Sequence, residues 1–152
     1  RLPPEDGRLR IVIDDGAAFV ADSAQQWDLI LVDGYDHRAR ANSLDTEVFH
    51  RACRARLAPG GRVCLNLFGR TRGFRASALR VMNAYDGRAL VLPSLNEGNA
   101  ICIASTDQGT GLSMEVLRTR AQRLRADTGL NLGPSLSRIE QAGYCAGGRL
   151  VI

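Results

Sequence analysis

A short apolar run that ends abruptly in two acidic residues is the feature that most constrains the fold of this chain. Residues 28–32 read Asp-Leu-Ile-Leu-Val, and Asp33 and Asp36 follow, three positions apart. A continuous run of Leu, Ile and Val is typical of a strand in a sheet covered on both faces. In open α/β sheets, chemistry gathers just beyond the carboxyl ends of such strands. The run therefore predicts an α/β sheet with a candidate site at Asp33 and Asp36.

Other strand patterns occur on both sides of this run. Strands are predicted at residues 8–14, 62–67, 89–92 and 100–104. The last two are separated by a short connection with a proline and a glycine, which favours a hairpin. We therefore predict an α/β fold with a mostly parallel sheet that ends in a C-terminal antiparallel hairpin.

Helical patterns lie between the predicted strands. Asp15 and Gly16 begin a short helix, and Asn42 or Ser43 is predicted to cap the next one, which the turn at residues 58–61 ends. Apolar residues at helical spacing predict the remaining helices, which lie at residues 74–85, at 114–124 and near Ser137, whose spacing to Glu140 fits a capping box.

The composition describes an ordinary globular chain of about one domain. It has 152 residues, of which 45% are hydrophobic and 24% charged, and a net charge of +4 that comes from dispersed arginines. Because only 5% of the residues are aromatic, the composition argues against stacking of single-stranded nucleic acid. No apolar stretch approaches the ~18 residues of a membrane span.

The cysteines and histidines give no sign of a metal centre. The four cysteines show no C-x-x-C spacing, which points to a reducing, cytoplasmic compartment. Cys64 and Cys102 lie in apolar runs and are interpreted as small buried hydrophobic residues. His37 and His50 are far apart in the sequence and are interpreted as exposed. We therefore expect no metal.

Four segments in order resemble the spermidine synthases, which have the class I S-adenosylmethionine-dependent methyltransferase fold. The resemblance covers about residues 8–105. It rests on Asp15-Gly16, on Asp33-Gly34-Tyr35-Asp36, on Ser43-Leu44-Asp45-Thr46-Glu47-Val48-Phe49 and on Leu57-Ala58-Pro59-Gly60-Gly61. It implies a Rossmann-like fold and a step of polyamine biosynthesis, the transfer of an aminopropyl group from decarboxylated S-adenosylmethionine to an amine.

The resemblance also implies roles for single residues. Asp33 takes the position of the catalytic aspartate, and Asp36 that of the aspartate that holds the amine. Asp15, with Gly16, takes the position that binds the adenine of the donor. Tyr35 lies between the two aspartates and is a candidate wall of the acceptor pocket. A carboxylate beside an amine can accept its proton and fix the nitrogen near the reactive carbon.

The loop after Asp36 departs from the family pattern. His37 stands where the family has proline, and Arg38 and Arg40 bring cations to the predicted amine pocket. Like charges weaken the binding of a polycation. If these side chains point inward, a less cationic or anionic acceptor is favoured over putrescine; if they point outward, they form a solvated loop.

The family's glycine-rich cofactor loop and the first strands of its sheet have no counterpart before residue 8. We therefore predict that residues 1–110 are the C-terminal part of an S-adenosylmethionine-dependent domain, followed by a helical extension at 111–152. The chain is expected to bind such nucleosides weakly or not at all by itself. Its unpaired strand edge favours a homo-oligomer or association with the missing N-terminal half.

Alternative functions remain open at this stage. The first is an S-adenosylmethionine-dependent methyltransferase, and the second is a non-catalytic domain that keeps the fold for partner binding. Binding of nucleic acid through a basic surface is the third, which the few aromatic residues disfavour.

Overall fold

The structure is a computed structural model that describes residues 6–38, 40–68, 73–93, 98–107, 111–150 and 152. Up to residue 93 helices and strands alternate, and a further strand follows at Asn99–Ser105. These elements are α1 (Gly16–Asp22), β1 (Trp27–Val32), a 3₁₀ turn (Asn42–Asp45), α2 (Glu47–Ala55), β2 (Leu57–Phe68), α3 (Phe74–Ala84), β3 (Ala89–Pro93) and β4 (Asn99–Ser105). The elements that follow are β5 (Leu112–Ser113), α4 (Met114–Thr128), α5 (Gly133–Gln141), β6 (Cys145–Ala146) and β7 (Arg149–Leu150).

The main sheet has the strand order β1-β2-β4-β3. Strands β1 and β2 are parallel, whereas β4 is antiparallel to both β2 and β3. The strands β1, β2 and β3 therefore run in one direction, and β4 opposes them. The predicted α/β fold, its mostly parallel sheet and its antiparallel hairpin are confirmed.

Strand β2 begins earlier than the sequence predicts because it absorbs the expected turn as a bulge. Trp27 pairs with Leu57 and Leu29 with Arg62, so the register advances two residues on β1 but five on β2. A Cβ on Gly61 would lie 2.9 Å from the carbonyl oxygen of Trp27, so glycine lets the two strands approach closely here.

The core lies between one face of the sheet and the helices α1, α2 and α3. Ile30 and Val32 of β1 contact both the cluster under α2 and the cluster under α3. The other face of β1 differs from the expectation of a strand covered on both sides. Leu29 and Leu31 there are 55% and 70% exposed, because these helices pack on the opposite face. The most buried members of the core are Cys53, Val63, Leu65, Val81, Ala84, Tyr85, Ala100, Cys102 and Ala104.

Two local predictions before α2 were wrong. Residues 8–14 do not form a strand; the described part of this region has one isolated bridge, between Asp6 and Leu9. The helix expected to be capped at Asn42 or Ser43 is split into the 3₁₀ turn and α2, whose N-cap is Thr46. A strand is stable only where a neighbouring strand pairs with its backbone hydrogen-bonding groups, and a helix only where its apolar face packs on another element. A local sequence pattern does not specify these neighbours.

The C-terminal segment contains more than the predicted helices. Helix α5 begins at Gly133, with proline in its first turn, so Ser137 lies inside the helix instead of capping it. Besides α4 and α5, the segment forms a small sheet of order β5-β7-β6, which the sequence did not suggest. The Tyr144 hydroxyl bonds to the backbone of Val91 and so ties the segment to β3. The division into residues 1–110 and 111–152 stays a prediction.

Within the part of the chain that the structure describes, no helix has the length and apolar character needed to cross a membrane.

Candidate active site

The carboxyl ends of β1 and β2 bring Asp33 next to Asn66. Val32 pairs with Leu65 in the parallel register, so the residues that follow them on each strand are neighbours. Asp33 is exposed, and the Asn66 amide donates a hydrogen bond of 2.9 Å to its Oδ1. The Oδ1 of Asn66 is buried without a hydrogen-bond partner among the described residues. The pair therefore joins an exposed carboxylate on one strand to an amide on the next strand whose oxygen is buried.

Tyr35 packs across the same strand ends. Its hydroxyl donates to the backbone carbonyl of Asn66, and its ring meets Phe68 edge-on, with centroids 5.4 Å apart. Burial, followed by the nearby carboxylates of Asp45 and Asp33, raises the pKa of Tyr35 above its usual value of 10.0. The phenol is therefore neutral at physiological pH and acts as a hydrogen-bonded wall.

Two cavities lie beside these strand ends. One has a volume of about 490 Å³ and is lined by residues of the loop after β1, of β2 and of α3; we call it the polar cavity. The other has a volume of about 410 Å³ and is lined mainly by apolar residues of α1 and β1; we call it the apolar cavity. Asp33 and Gly16 line the apolar cavity, whereas Tyr35 and Asn66 line the polar cavity.

Leu44 separates the two cavities. Leu44, Val32 and Gly34 line both of them. A Cβ on Gly34 would overlap Cδ1 of Leu44, so the lack of a side chain at this position lets Leu44 fill the partition. A Cβ on Gly16 would lie 3.4 Å from the other methyl group of Leu44. Two glycines of the predicted motifs therefore pack around one leucine.

Asp36 is held by its own loop. Its Oδ1 accepts bonds from the backbone amides of Arg38 and Arg40, and its Oδ2 accepts bonds from the side chains of Arg40 and Asn42. These bonds, led by the backbone amide of Arg40, outweigh burial and lower the pKa of Asp36 from 3.8 to about 2. Asp36 is not among the described residues that line either cavity, whereas Arg40 and Asn42 line the polar cavity.

A third acidic residue, Asp45, anchors the 3₁₀ turn to α3 and α2. Its carboxylate accepts a 2.7 Å bond from the Ser77 hydroxyl and forms an ion pair with the Arg80 guanidinium. The Nε2 of His50 lies 3.8 Å from its Oδ1. Burial raises the pKa of Asp45, but His50, Arg80 and Ser77 together outweigh burial and lower it to about 2.

His50 corrects one interpretation of the sequence. It was expected to be exposed on its helix, yet it is 1% exposed and packs against Phe49. His37 is exposed as expected. Of the two cysteines interpreted as buried, Cys102 is buried and Cys64 is half-buried. Across the described residues, no group of three or more His, Cys, Asp and Glu side chains has the arrangement to hold a metal ion.

Asp15 caps the first helix. Its Oδ1 accepts bonds of 2.9 and 3.0 Å from the amides of Ala17 and Ala18, so both capping bonds end on one carboxylate oxygen. The side chain therefore has a structural role at the start of α1. Its neighbour Gly16 opens onto the apolar cavity, together with Asp33.

Two features of the site had little or no signal in the sequence. Asn66 lies at a predicted strand end, and only the parallel pairing with β1 places it beside Asp33. The rule that parallel strand ends meet at one edge of the sheet points to this residue. Asp45 and Arg80 are 35 residues apart, and no motif links them, because their contact depends on how α3 packs.

Comparison with known proteins gives a matching family model and several relatives. The spermine/spermidine synthase domain matches residues 4–67, a range that includes every predicted site residue. The polyamine aminopropyltransferase of Chromobacterium violaceum is 32% identical over 152 residues, which are 100% of this chain and 58% of that protein. The enzyme of the same name from Neisseria meningitidis is 29% identical over 130 residues, 86% of this chain and 49% of its own length. The chain thus spans about half the length of these curated relatives.

Solved structures with the same fold include a methyltransferase and spermidine synthases. Human methyltransferase-like protein 13, solved in complex with SAH, has a TM-score of 0.68 at 22% identity, over 81% of this chain and 60% of its own. A probable spermidine synthase from Corynebacterium glutamicum has a TM-score of 0.62 at 21% identity, over 80% of this chain and 47% of its own. A spermidine synthase bound to the transition-state analogue AdoDATO has a TM-score of 0.57 at 24% identity, over 68% of this chain and 38% of its own. The chain is therefore spermidine synthase-like in sequence and methyltransferase-like in fold, over part of the length of its relatives.

Proposed function

We propose that the complete protein transfers the aminopropyl group of decarboxylated S-adenosylmethionine to an amine at the pair formed by Asp33 and Asn66. The proposal is based on the position of this pair. Asp33 lines the apolar cavity, Asn66 lines the polar cavity, and their side chains share a hydrogen bond. A reaction between two substrates needs a place where both meet in a fixed orientation. The relationship to polyamine aminopropyltransferases supports this reaction class.

We assign the donor to the apolar cavity. Its volume of about 410 Å³ falls within the range of small-molecule sites, and its lining includes Trp27 and Phe19, whose rings lie 6.2 Å apart. These apolar surfaces suit a nucleoside, and Gly16 leaves room at the helix start. Asp15, adjacent to Gly16, is assigned the adenine contact that the family resemblance implies. When bound, the donor supplies a carbon activated by its sulfonium.

The acceptor nitrogen is assigned to the carboxylate of Asp33, which the Asn66 amide orients. An alkylamine is protonated at neutral pH and must lose a proton before it attacks carbon. The exposed Asp33 carboxylate holds the ammonium and receives that proton, while the Asn66 amide orients the carboxylate through their hydrogen bond. The new N–C bond forms as the C–S bond breaks, and the electron pair of the broken bond stays on sulfur. The products are the aminopropylated amine and neutral methylthioadenosine, and the proton passes from Asp33 to water.

Tyr35 and Asp36 have supporting assignments. Tyr35 forms the wall beside the acceptor nitrogen, because its hydroxyl is bonded to the backbone of Asn66. Asp36, which the family resemblance assigns to holding the amine, acts in this proposal as a positioning residue. Its carboxylate holds Arg40 and Asn42, which line the polar cavity.

The test is product formation by the native polypeptide with the exchange Asp33→Asn. With decarboxylated S-adenosylmethionine and an amine, we expect the unmodified protein to form methylthioadenosine, measured by mass spectrometry. Asp33→Asn keeps the shape of the side chain and an oxygen for the Asn66 bond but removes the base, so turnover should fall at least ~10²-fold. Asp28→Asn is the matched control, because Asp28 is an exposed aspartate at the other end of the same strand.

Each alternative predicts a different result of this assay. S-adenosylhomocysteine from the ordinary cofactor would show a methyltransferase and overturn aminopropyl transfer. Absence of product from both donors across a panel of amines would favour a non-catalytic protein of this fold. Equal turnover by Asp33→Asn and the unmodified protein would remove Asp33 from the catalytic role.

A further inference from the structure

Leu44 lies at the junction of the two cavities, next to the proposed catalytic residue. It lines both cavities together with Val32 and Gly34, and Asp33 lines the apolar cavity. Gly34 follows Asp33 directly in the chain, and a Cβ on Gly34 would overlap Cδ1 of Leu44. The branched end of the Leu44 side chain therefore meets the backbone one residue beyond Asp33.

Leu44 is held in this position from several sides. Its Cδ2 lies 3.4 Å from the place that a Cβ on Gly16 would take at the start of α1. The side chain also packs against the buried cluster under α2. The next residue, Asp45, is anchored to α3 by a hydrogen bond and an ion pair. Leu44 therefore forms a fixed wall between the cavities.

The proposed reaction places the substituents of the attacking nitrogen at this wall. The Asp33 carboxylate holds that nitrogen, and the donor carbon approaches it from the apolar cavity, which Leu44 also lines. A primary amine has only hydrogen atoms beside its single carbon chain. A secondary amine has a second carbon on the nitrogen, and this carbon needs space at the junction that the Leu44 side chain fills.

From this arrangement we infer that Leu44 is a specificity-determining residue that restricts the transfer to primary amines. The inference rests on the proposed function for the position of the reacting nitrogen. A methyl group on that nitrogen leaves its lone pair and its charge in place, so Leu44 distinguishes the two kinds of amine by size. The nitrogen becomes secondary when it receives the aminopropyl group, and the same wall therefore prevents a second transfer to it. One methyl group in an apolar site changes specificity ~10–200-fold.

The experiment compares putrescine with N,N′-dimethylputrescine, which has the same carbon chain but one methyl group on each nitrogen. Methylthioadenosine release by the native polypeptide gives kcat/KM for each amine, and the ratio of the two values is the preference. Because both reactions use the same donor, effects on donor binding cancel in this ratio. We expect the unmodified protein to prefer putrescine at least ~10-fold and Leu44→Ala to reduce this preference by ~10-fold. Leu79→Ala is the control, because Leu79 is 59% exposed and lines neither cavity, and it should leave the preference unchanged.

Two further variants keep the test valid if Leu44→Ala folds poorly, which circular dichroism would show. Leu44→Val removes one carbon and keeps the position apolar, so it should change the preference in the same direction by a smaller factor. The double variant Gly34→Ala/Leu44→Ala places a new Cβ in the space that Leu44 leaves. It should therefore recover part of the preference for putrescine.

The outcomes separate the inference from the proposed function. If methylthioadenosine forms with putrescine but the preference is the same in the folded Leu44 variants as in the unmodified protein, the inference is overturned and aminopropyl transfer stands. Equal kcat/KM for both amines in the unmodified protein has the same meaning. An equal loss of preference in Leu79→Ala would show a general effect of losing a leucine and also overturn the inference. Absence of methylthioadenosine from the unmodified protein with every amine overturns the proposed function and the inference together.

Discussion

Replacement of Asp45 by asparagine tests whether this carboxylate holds the outer wall of the site together. Asp45 joins the 3₁₀ turn to α3 through Ser77 and Arg80, and it lies 3.8 Å from the buried His50 of α2. Asparagine keeps the size of the side chain but removes its charge. The exchange leaves the Arg80 guanidinium without this anionic partner, so we expect the free energy of unfolding to fall.

The size of the effect follows from the pKa of Asp45, which falls from 3.8 to about 2. Burial raises this pKa, and the combined effect of His50, Arg80 and Ser77 lowers it by more than burial raises it. One pKa unit corresponds to ~1.4 kcal/mol, so the shift is worth roughly 2 kcal/mol at neutral pH. Arg80 is 33% exposed, and solvent screens part of this interaction. We therefore expect Asp45→Asn to cost about 1–2 kcal/mol at pH 7.

The pH dependence has a definite sign. Because the folded-state pKa lies below the unfolded value of 3.8, the stabilisation is present above roughly pH 4 and is lost as the pH falls through about 2. Urea unfolding followed by circular dichroism should therefore show that Asp45→Asn lowers the free energy of unfolding at pH 7, and lowers it less at about pH 3. Glu47→Gln is the control, since Glu47 pairs with Arg51 in an exposed helical pair and should change stability little. A loss no greater than that of the control, or one of equal size at both pH values, would refute the reasoning.

Two further predictions concern packing. Gly34→Ala should push Leu44 out of the partition, because the new Cβ would overlap its Cδ1; we expect about 1–3 kcal/mol of destabilisation in urea unfolding. Gly7→Ala, where nothing lies within 4 Å, is the control, and equal stability of both variants would contradict the close contact. Burial raises the pKa of Cys53 and Cys102 to about 12, so both thiols should resist iodoacetamide at about pH 8 until the chain unfolds. Rapid labelling of either residue in the native protein, measured by mass spectrometry, would contradict this.

The central strands could be predicted from the sequence because their signal is strong and local. The apolar run at β1, the proline at the end of β3 and the glycine before β4 each reflect a backbone preference that needs no distant partner. Residues 8–14 have the composition of a strand, but a strand requires a neighbour to bond with, and the described part of this region has only the bridge between Asp6 and Leu9. Composition alone therefore overestimates strand formation at this end.

The burial of His50 shows what a local pattern cannot provide. Its position in α2 follows from helical periodicity, but its environment depends on where the 3₁₀ turn places Asp45. A polar ring is costly inside a core unless polar or charged groups lie close to it. Asp45 belongs to another element, so the periodicity of α2 carries no information about it.

The two aspartates at the end of β1 show why a motif alone does not assign roles. Asp33 and Asp36 are three residues apart on one loop, and the sequence presents them as a pair. In the structure Asp33 has a hydrogen bond from one neutral side chain, that of Asn66, and lines a cavity. The carboxylate of Asp36 is instead occupied by Arg40 and its own loop, which lowers its pKa to about 2. An incoming amine would have to displace an arginine to reach Asp36 but not to reach Asp33. For this reason we assign the chemistry to the first aspartate and the positioning of the arginine to the second.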